Sequence, residues 1–171
     1  MFKVMSQTEA AYFAGILDGE GTITVVVSEL KRSPTLRPRI MISSTDRRLL
    51  EWIVQFGGKI YNSRRKAIEG QRFIWTWAAE RQDEIINILQ QTHSFLLLKQ
   101  EQSALLQEFC ASRLMKMKIR RGVPGYSQRE VDIHERMRVL NKRGTKKSKV
   151  KCSEAVFKVN DLLNEVLSCR K

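Results

Sequence analysis

The sequence predicts an α+β fold in which helices cover one face of an antiparallel sheet. Three observations support this: an apolar helix near the N-terminus, two pairs of segments with strand alternation, and helical periodicity in the rest of the chain. The predicted order is helix, hairpin, helix, hairpin and helix (αββαββα), followed by C-terminal helices. At 171 residues the chain has the length of one domain. We expect a core over about 1–112 and a helical extension over about 113–171.

The first predicted helix begins after Thr8, a suitable N-cap, and ends in the sequence D-G-E-G at 18–21. It is apolar almost all round, which predicts burial on more than one side. Its small residues Ala11, Ala14 and Gly15 allow the close approach of a second backbone. The two carboxylates at its end are unfavourable for the helix dipole. We therefore expect a positive partner there, and a divalent cation is the obvious candidate.

Two predicted hairpins follow the first helix and are separated by a second one. The first hairpin consists of residues 22–30 and 36–43, and the second of residues 59–67 and 71–79. Apolar and polar side chains alternate in all four segments. Pro38 lies within the second strand, which predicts an edge position or an irregularity there. Each hairpin should therefore place one apolar face on the core and leave the other face open.

The two faces of the hairpins differ in chemistry. Phe73, Trp75 and Trp77 alternate along the last strand, and aromatic side chains at this spacing predict a core face. The opposite faces carry four arginines: Arg37, Arg39, Arg65 and Arg72. A single arginine on a strand is about as often merely solvated. Four on one face favour a nucleic acid, because an antiparallel ribbon fits the DNA major groove.

Helices are predicted between and after the hairpins. One begins at the T-D sequence of 45–46 and ends at the G-G sequence of 57–58. Another begins at Ser127, which has capping-box spacing to Glu130. The remaining predicted segments are a short amphipathic helix at 80–91, a longer helix from Phe95 through Cys110, a basic loop at 113–125, a basic run at 141–151 and a last helix at 153–167.

The chain is strongly basic, with 31 lysines and arginines against 18 acidic residues and a net charge of +13. Such an excess indicates a polyanionic partner. No apolar run reaches the length of about 18 residues that a membrane span needs, and no secretory signal is recognisable. Cys110, Cys152 and Cys169 have no metal-binding spacing, so we expect reduced thiols in an intracellular protein. We interpret His93 and His134 as structural or surface residues.

Residues 13–21, F-A-G-I-L-D-G-E-G, resemble the LAGLIDADG motif of homing endonucleases position by position. The motif occurs once. The element order and the two hairpins are also similar to the single-motif members of that family, so the resemblance extends over the whole chain. It implies that the antiparallel sheet is saddle-shaped. It implies a homodimer in which two motif helices pack about a two-fold axis, because one chain supplies one set of catalytic groups. The implied interface residues are Ala11, Tyr12, Ala14, Gly15 and Asp18.

The resemblance also implies a metal site. Glu20 occupies a position that is usually aspartate in the family, and it would bind Mg²⁺ together with the backbone carbonyl of Gly19. By the same resemblance Mn²⁺ would substitute, and Ca²⁺ would bind without cleavage. Asp18 is assigned to hydrogen bonds at the helix end. The segment F-L-L-L-K-Q-E-Q at 95–102 is similar to the family's L-x-x-K-Q sequence, which implies that Lys99 belongs to the active site.

Two further catalytic positions follow from the resemblance, with two alternative registers. The family has a polar residue and an arginine near the end of the second strand. Ser44 and Arg48 are the best matches, and Thr45 with Arg47 is the competing assignment. The family's polar residue is commonly glutamine, and none occurs between positions 38 and 51. A serine hydroxyl could still hold a water molecule.

Strand length predicts the size of the DNA target. A strand of about nine residues spans roughly 30 Å, or about nine base pairs. Two copies therefore imply a partly palindromic double-stranded site of about 20 base pairs. By resemblance, cleavage would leave short 3′ overhangs and serve the mobility of an intron or intein. The predicted DNA-binding residues are Thr24, Val26, Ser28, Arg32, Arg37, Arg39, Met41, Tyr61, Ser63, Arg65, Arg72, Ile74 and Thr76.

Two other functions are compatible with the same resemblance. One is an RNA maturase that assists intron splicing, and the other is a DNA-binding regulator without a metal site. The presence of Glu20 and Lys99 argues against the second. The basic run at 141–151 either contacts phosphates or is a solvated loop. We expect the protein in a bacterial cytoplasm, a chloroplast or a mitochondrion, with no membrane partner.

Overall fold

A computed structural model describes residues 3–28, 35–62, 73–119 and 125–142, and it confirms the predicted αββαββα order. The elements are α1 (Gln7–Glu20), β1 (Gly21–Ser28), β2 (Thr35–Ser44), α2 (Arg47–Ile53), β3 (Lys59–Asn62), β4 (Trp75–Ala79), α3 (Gln82–Thr92), α4 (Gln100–Ile119) and α5 (Gln128–Leu140), with short 3₁₀ helices at Val54–Phe56 and His93–Phe95. None of the helices in these ranges is long and apolar enough to span a bilayer. The predicted basic run, apart from its first two residues, and the predicted last helix lie outside the described residues.

The four strands form one antiparallel sheet in the order β1-β2-β4-β3. β1 pairs with β2 along its whole length, whereas β4 pairs with β2 only over residues 40–44. Pro38 therefore lies beyond the part of β2 that pairs with β4. Among the described residues it has a neighbouring strand on one side only, which agrees with the edge position, one of the two alternatives predicted for it.

The core lies between one face of the sheet and the helices. Phe13 of α1 is fully buried, and its ring packs against those of Trp52, Phe56 and Trp77 with centroids 6.2, 6.0 and 5.7 Å away. Burial of one such side chain stabilises the fold by about 1.5–3 kcal/mol. This aromatic cluster fixes α1 against both α2 and β4.

The first helix begins two residues earlier than predicted, because its N-cap is Ser6 rather than Thr8. The Ser6 hydroxyl accepts the backbone N–H of Glu9 (3.2 Å), and the Glu9 carboxylate accepts the N–H of Ser6 (2.8 Å). This capping box satisfies two helix-end donors at once. Thr8 has no acidic residue three positions later, since position 11 is alanine.

The three aromatic residues of the last strand do not share one environment. Trp77 is fully buried and confirms the predicted core face. Trp75 is half-buried, and Phe73 keeps 60% of its surface exposed, so its assignment to the core is wrong. The physical reason is that β4 begins only at Trp75. Strand alternation does not extend to residue 73.

The G-G sequence after α2 ends the helix as predicted. Gly57 and Gly58 have φ angles of 127° and 76°, which side chains rarely adopt. A Cβ at Gly58 would also lie 2.6 Å from Nε1 of Trp77, and that indole nitrogen donates to the Gly57 carbonyl (2.9 Å). The turn therefore packs directly on the core.

α4 extends to Ile119, so the predicted loop from Arg113 is wrong over its first part. The Arg113 side chain is buried, with its guanidinium 4.5 Å from the ring centroid of Tyr126 and 3.8 Å from the Glu130 carboxylate. These partners come from α5 and the segment before it. A basic side chain that looks like a loop signal is thus neutralised by groups distant in sequence.

Glu130 is the centre of this buried cluster. Its carboxylate accepts the Lys116 ammonium (2.7 Å), the Ser112 hydroxyl (2.9 Å) and the Ser127 N–H (2.7 Å). Burial acts to raise the pKa of Glu130, but the hydrogen bonds from Lys116 and Ser127 outweigh it and lower the pKa. The bond with Ser127 is half of the capping box predicted for α5.

α5 lies along the outer edge of β1. His134 is buried and its Nδ1 lies 3.0 Å from the Val25 carbonyl oxygen, while Asn141 donates its side-chain N–H to the Ile23 carbonyl (2.9 Å). Burial lowers the pKa of His134, which favours the neutral ring. Of the two roles predicted for this histidine, structural or surface, the structure shows the first: together with Asn141 it covers carbonyls that the edge strand would otherwise expose.

Candidate nucleic-acid interface and active site

The sheet presents one face away from the core, which we call the open face. It carries the even-numbered residues of β1 and β4 and the odd-numbered residues of β2 and β3, because side chains alternate. The opposite face is core: Ile23, Ile40 and Ile42 are fully buried. Three rows of the open face are Ser43–Thr76–Tyr61, Thr22–Met41–Ala78–Lys59 and Thr24–Arg39.

Glu20, the last residue of α1, lies at the border of the open face. Gly21, the residue after Glu20, pairs with Ile42, the residue before Ser43. Both are exposed. The Ser43 hydroxyl shares a 3.0 Å hydrogen bond with the Thr76 hydroxyl of β4. The Glu20 carboxylate and this pair of hydroxyls therefore belong to the same end of the sheet, where α1 joins β1.

Ser44, the predicted polar residue, lies on the other side of the sheet from Ser43. Its hydroxyl accepts the N–H of Asp46 (3.0 Å), and Asp46 in turn caps α2 and binds the guanidinium of Arg48 (2.6 Å). The hydrogen bond from Arg48 lowers the pKa of Asp46 to about 2. The hydroxyl on the open face at this end of β2 thus belongs to Ser43, not to Ser44.

Arg48 also lies away from Glu20. It borders a groove of about 500 Å³ between α1 and α2. The other residues that line this groove are Thr8, Glu9, Tyr12, Asp46, Leu49 and Trp52. Tyr12 precedes Glu20 by eight positions, which is about 12 Å along a helix. Within one chain the structure does not bring Arg48 to the carboxylate, and Arg47 instead stacks over the ring of Trp75 (4.8 Å).

Asp18 joins the end of α1 to the start of α4. One carboxylate oxygen accepts the N–H groups of Leu97 (2.7 Å) and Leu98 (3.2 Å), and the other accepts that of Lys99 (3.1 Å). These donors immediately precede the first turn of α4. The hydrogen-bonding role expected of Asp18 is present, but at the start of α4 rather than at the end of its own helix.

Lys99 is held against the motif helix. Its Nζ donates to the carbonyl oxygens of Leu17 (2.7 Å) and Asp18 (2.5 Å) in the last turn of α1. A cation at this position is favoured by the helix dipole. Lys99 therefore binds carbonyl oxygens of residues that precede Glu20 by less than one helical turn.

The predicted interface residues of α1 divide into two groups. Ala11, Tyr12 and Gly15 are exposed, and a Cβ added at Gly15 would have nothing within 4 Å. Ala14 is fully buried in the core of its own chain. Its side chain is therefore not available to a second copy, which corrects its assignment to the interface.

Two apolar residues were missing from the predicted surface. Leu97 and Leu98 keep 87% and 76% of their surface exposed, although they follow directly on the buried Leu96. Their backbone is anchored by Asp18 beside the C-terminal end of α1. The only sequence signal for them is the apolar run at 95–98 just before α4. The sequence does not show that Asp18 anchors this run.

One chain offers part of a metal site. Glu20 and Gly19 are exposed, and a Cβ at Gly19 would meet nothing within 4 Å, so the end of α1 is accessible. The described residues contain no group of three His, Cys, Asp or Glu side chains that could hold a metal ion. Mg²⁺ binds through several oxygen ligands. The donor set fits such an ion only if further oxygens come from elsewhere.

Most of the predicted DNA-binding residues occupy the open face. Those within its described strands are Thr24, Val26, Ser28, Arg37, Arg39, Met41, Tyr61 and Thr76. Ile74 precedes β4 and is 47% exposed. Arg32, Ser63, Arg65 and Arg72 lie outside the described residues. Ser43 and Lys59 were missed, although alternation from the buried Ile40 and Ile42 places Ser43 on this face.

The chain has the fold of the LAGLIDADG homing endonucleases. I-CvuI, a homing endonuclease solved in complex with its target, aligns with a TM-score of 0.65 over 92% of this chain and 96% of its own at 17% identity. The archaeal intron-encoded homing endonuclease I-Vdi141I, solved with DNA, aligns with a TM-score of 0.66, over 92% and 98%, at 18% identity.

A longer solved chain has the same fold. The LAGLIDADG homing endonuclease I-GzeII, solved with a DNA target, aligns with a TM-score of 0.57 over 91% of this chain but 48% of its own, at 15% identity. The predicted fold is thereby confirmed. No family model and no curated protein matches the sequence.

Proposed function

We propose that this protein is a homodimeric endonuclease that makes a double-strand break in a long, partly palindromic DNA site with Mg²⁺ as cofactor. One observation carries the proposal: the exposed Glu20 ends the motif helix at the border of the open face, at the end of the sheet that carries Ser43, and Lys99 is bound to the same end of that helix. The proteins that share this fold include homing endonucleases solved with DNA. A DNA surface and a hydrolytic centre would thus adjoin each other.

The open face has the dimensions of a DNA-reading surface. β2 has ten residues, or about 33 Å of strand, which corresponds to about ten base pairs. Every second side chain of each strand points outward. Those on the open face include Arg37 and Arg39 of β2 and Thr24 of β1. Side chains at this spacing reach base edges in the major groove. Two copies would cover about 20 base pairs.

The residues at the junction have complementary tasks in phosphodiester hydrolysis. Glu20 would hold the divalent ion together with the carbonyl of Gly19; the ion, when bound, supplies charge on the scissile phosphate and a more acidic water. Ser43, already oriented by Thr76, would position the attacking water. Lys99, fixed by two backbone carbonyls, would stabilise the negative charge that develops on the phosphate.

The dimer follows from the count of carboxylates. Each chain contributes one Glu20, and a second copy would contribute the next, about a two-fold axis. The exposed part of α1 around Tyr12 and Gly15, continued by Leu97 and Leu98, is the apolar surface available for this contact. The match to half of I-GzeII supports the idea, because that single chain has room for two such units.

The test of the nuclease is a cleavage selection on a library of half-palindromic duplexes, in Mg²⁺ and in Ca²⁺. The wild type is compared with Glu20→Gln and with the control Glu108→Gln, which changes the same charge on α4, where Glu108 pairs with Arg129. Cut ends from wild type and control, in Mg²⁺ only, would support the proposal. Specific binding without cutting by any variant would overturn it and favour the regulator or the maturase.

The test of the dimer is sedimentation equilibrium. We expect the wild type to sediment as a dimer and a Leu97→Asp/Leu98→Asp variant as a monomer. Val139→Asp is the matched control, since Val139 is 62% exposed on α5. A wild-type monomer that still cuts both strands would overturn the dimer but leave the nuclease standing.

A further inference from the structure

The open face carries an acid that a DNA surface does not obviously need. Among its described residues the only carboxylates are Glu20 and Glu80. Glu80 follows β4, and extension of the β2–β4 register by one residue places it opposite Arg39. The Glu80 carboxylate forms an ion pair with Nη2 of Arg39, and the two side chains are 37% and 32% exposed. In a chain of net charge +13, this acid neutralises a cation of the proposed DNA surface.

The guanidinium of Arg39 is oriented as well as neutralised. Its Nε is buried and has no hydrogen-bond partner within the described part of the chain, so the Nε edge is turned inward. On its other side, Arg39 pairs with Thr24 of β1. Its two Nη groups therefore carry the donors that face the open side, and Nη2 also binds Glu80. An end-on pair of Nη donors can bind guanine O6 and N7 bidentately.

A tethered arginine differs from a mobile one in what it selects. A mobile guanidinium binds phosphate, which is present at every sequence. A carboxylate beside it repels phosphate and keeps the donors in one geometry, which favours a guanine and penalises other bases. Arg39, held by Glu80, is an arginine of the tethered kind.

We propose that Glu80 is a specificity-determining residue: it holds Arg39 for recognition of one guanine in each half-site and excludes phosphate from it. This inference rests on the proposed function and deepens it. Glu80 acts through Arg39, so it is a positioning residue rather than a catalytic one. The expected signature is a variant that binds DNA more tightly and reads it less well.

The experiment measures binding by fluorescence anisotropy in Ca²⁺. The ligands are the selected duplex, its single-base variants through one half-site, and a scrambled duplex, each over a range of salt concentrations. The proteins are wild type, Glu80→Gln, Arg39→Lys and the charge-matched control Glu108→Gln. Thermal unfolding of each variant verifies that it is folded.

For Glu80→Gln we expect about a tenfold loss of preference for guanine at one position of the half-site, since a bidentate contact discriminates by roughly 5- to 150-fold. Binding to the scrambled duplex should tighten. Its salt slope should become steeper by about one per chain, because Arg39 is released to phosphate. Arg39→Lys should lose the same preference without the tighter binding, and Glu108→Gln should resemble the wild type.

Two failures are distinguishable. If the wild type selects a site but Glu80→Gln keeps its base preferences and its salt slope, the role of Glu80 is overturned and the proposed function is not. If the wild type shows no sequence preference on DNA at all, the proposed function fails and the role of Glu80 falls with it.

Discussion

Replacement of Asp18 by asparagine should weaken the junction between the motif helix and α4. The Asp18 carboxylate accepts the N–H groups of residues 97, 98 and 99 at 2.7, 3.2 and 3.1 Å. Asparagine has the same shape but only one oxygen. Its amide would direct a donor at whichever N–H the second oxygen had accepted. The substitution also removes a negative charge from the start of a helix.

The magnitude follows from these contacts. A stranded backbone donor costs about 1–3 kcal/mol, and the lost charge at the helix start about 0.3–1 kcal/mol. Asp18 is half-buried, so water replaces part of the lost hydrogen bond, and we take about 2 kcal/mol as the sum. For a chain of this size each kcal/mol lowers Tm by about 2–4 °C. Asp18→Asn should therefore lower Tm by about 6 °C.

The assay is thermal unfolding followed by circular dichroism at neutral pH. Asp132→Asn is the control, because Asp132 is an exposed residue of α5, and such substitutions change stability by less than about 0.5 kcal/mol. If Asp18→Asn unfolds within about 2 °C of Asp132→Asn, the three hydrogen bonds do not anchor α4 and the reasoning is refuted.

Three further predictions concern the core and the outer helix. Glu130→Ala should cost about 3 kcal/mol in urea unfolding, because it leaves the buried Arg113 without its carboxylate; a change below about 1 kcal/mol would contradict the buried ion cluster. Burial lowers the pKa of His134 from its ordinary value of 6.5. As the pH decreases, this histidine therefore takes up a proton more readily in the unfolded chain than in the folded one. Its contribution to stability should be complete above about pH 6.5 and fall as the pH decreases from there. His134→Gln should flatten that decline in melting temperature, and an unchanged slope would refute the assignment. Gly58→Ala should destabilise by about 1–3 kcal/mol, because φ is 76° and the new Cβ would lie 2.6 Å from Trp77 Nε1; an unchanged urea midpoint would count against this strain.

Features with local causes could be predicted from the sequence. Strand alternation predicted the two faces of the first hairpin, since Ile23 and Ile40 are buried and Arg37 is on the open face. The spacing of Ser127 and Glu130 predicted the start of α5, because a capping box involves only residues within one turn.

Features that depend on distant partners could not be predicted from the sequence. Arg113 resembled a loop residue because Glu130 and Tyr126, which neutralise and cover it, come from another element. The anchoring of α4 by Asp18 spans about 80 positions and has no periodicity to reveal it. Lys99 was placed near the motif by the resemblance alone. Ser43 is a different case, since the parity of the buried residues before it already determined its face.

The outer edge of β1 is covered only some time after the strand has been synthesised. β1 is synthesised early, but the side chains that cover its outer carbonyls follow 109 and 118 residues later, in His134 and Asn141. At about 5–20 residues per second, roughly 5–24 s of translation separate the strand from its cover. During that time neighbouring nascent chains on one messenger can add a strand to the uncovered edge. Slow translation of the segment before α5 would therefore lower the yield of folded protein more than it would lower the stability of the protein that has folded.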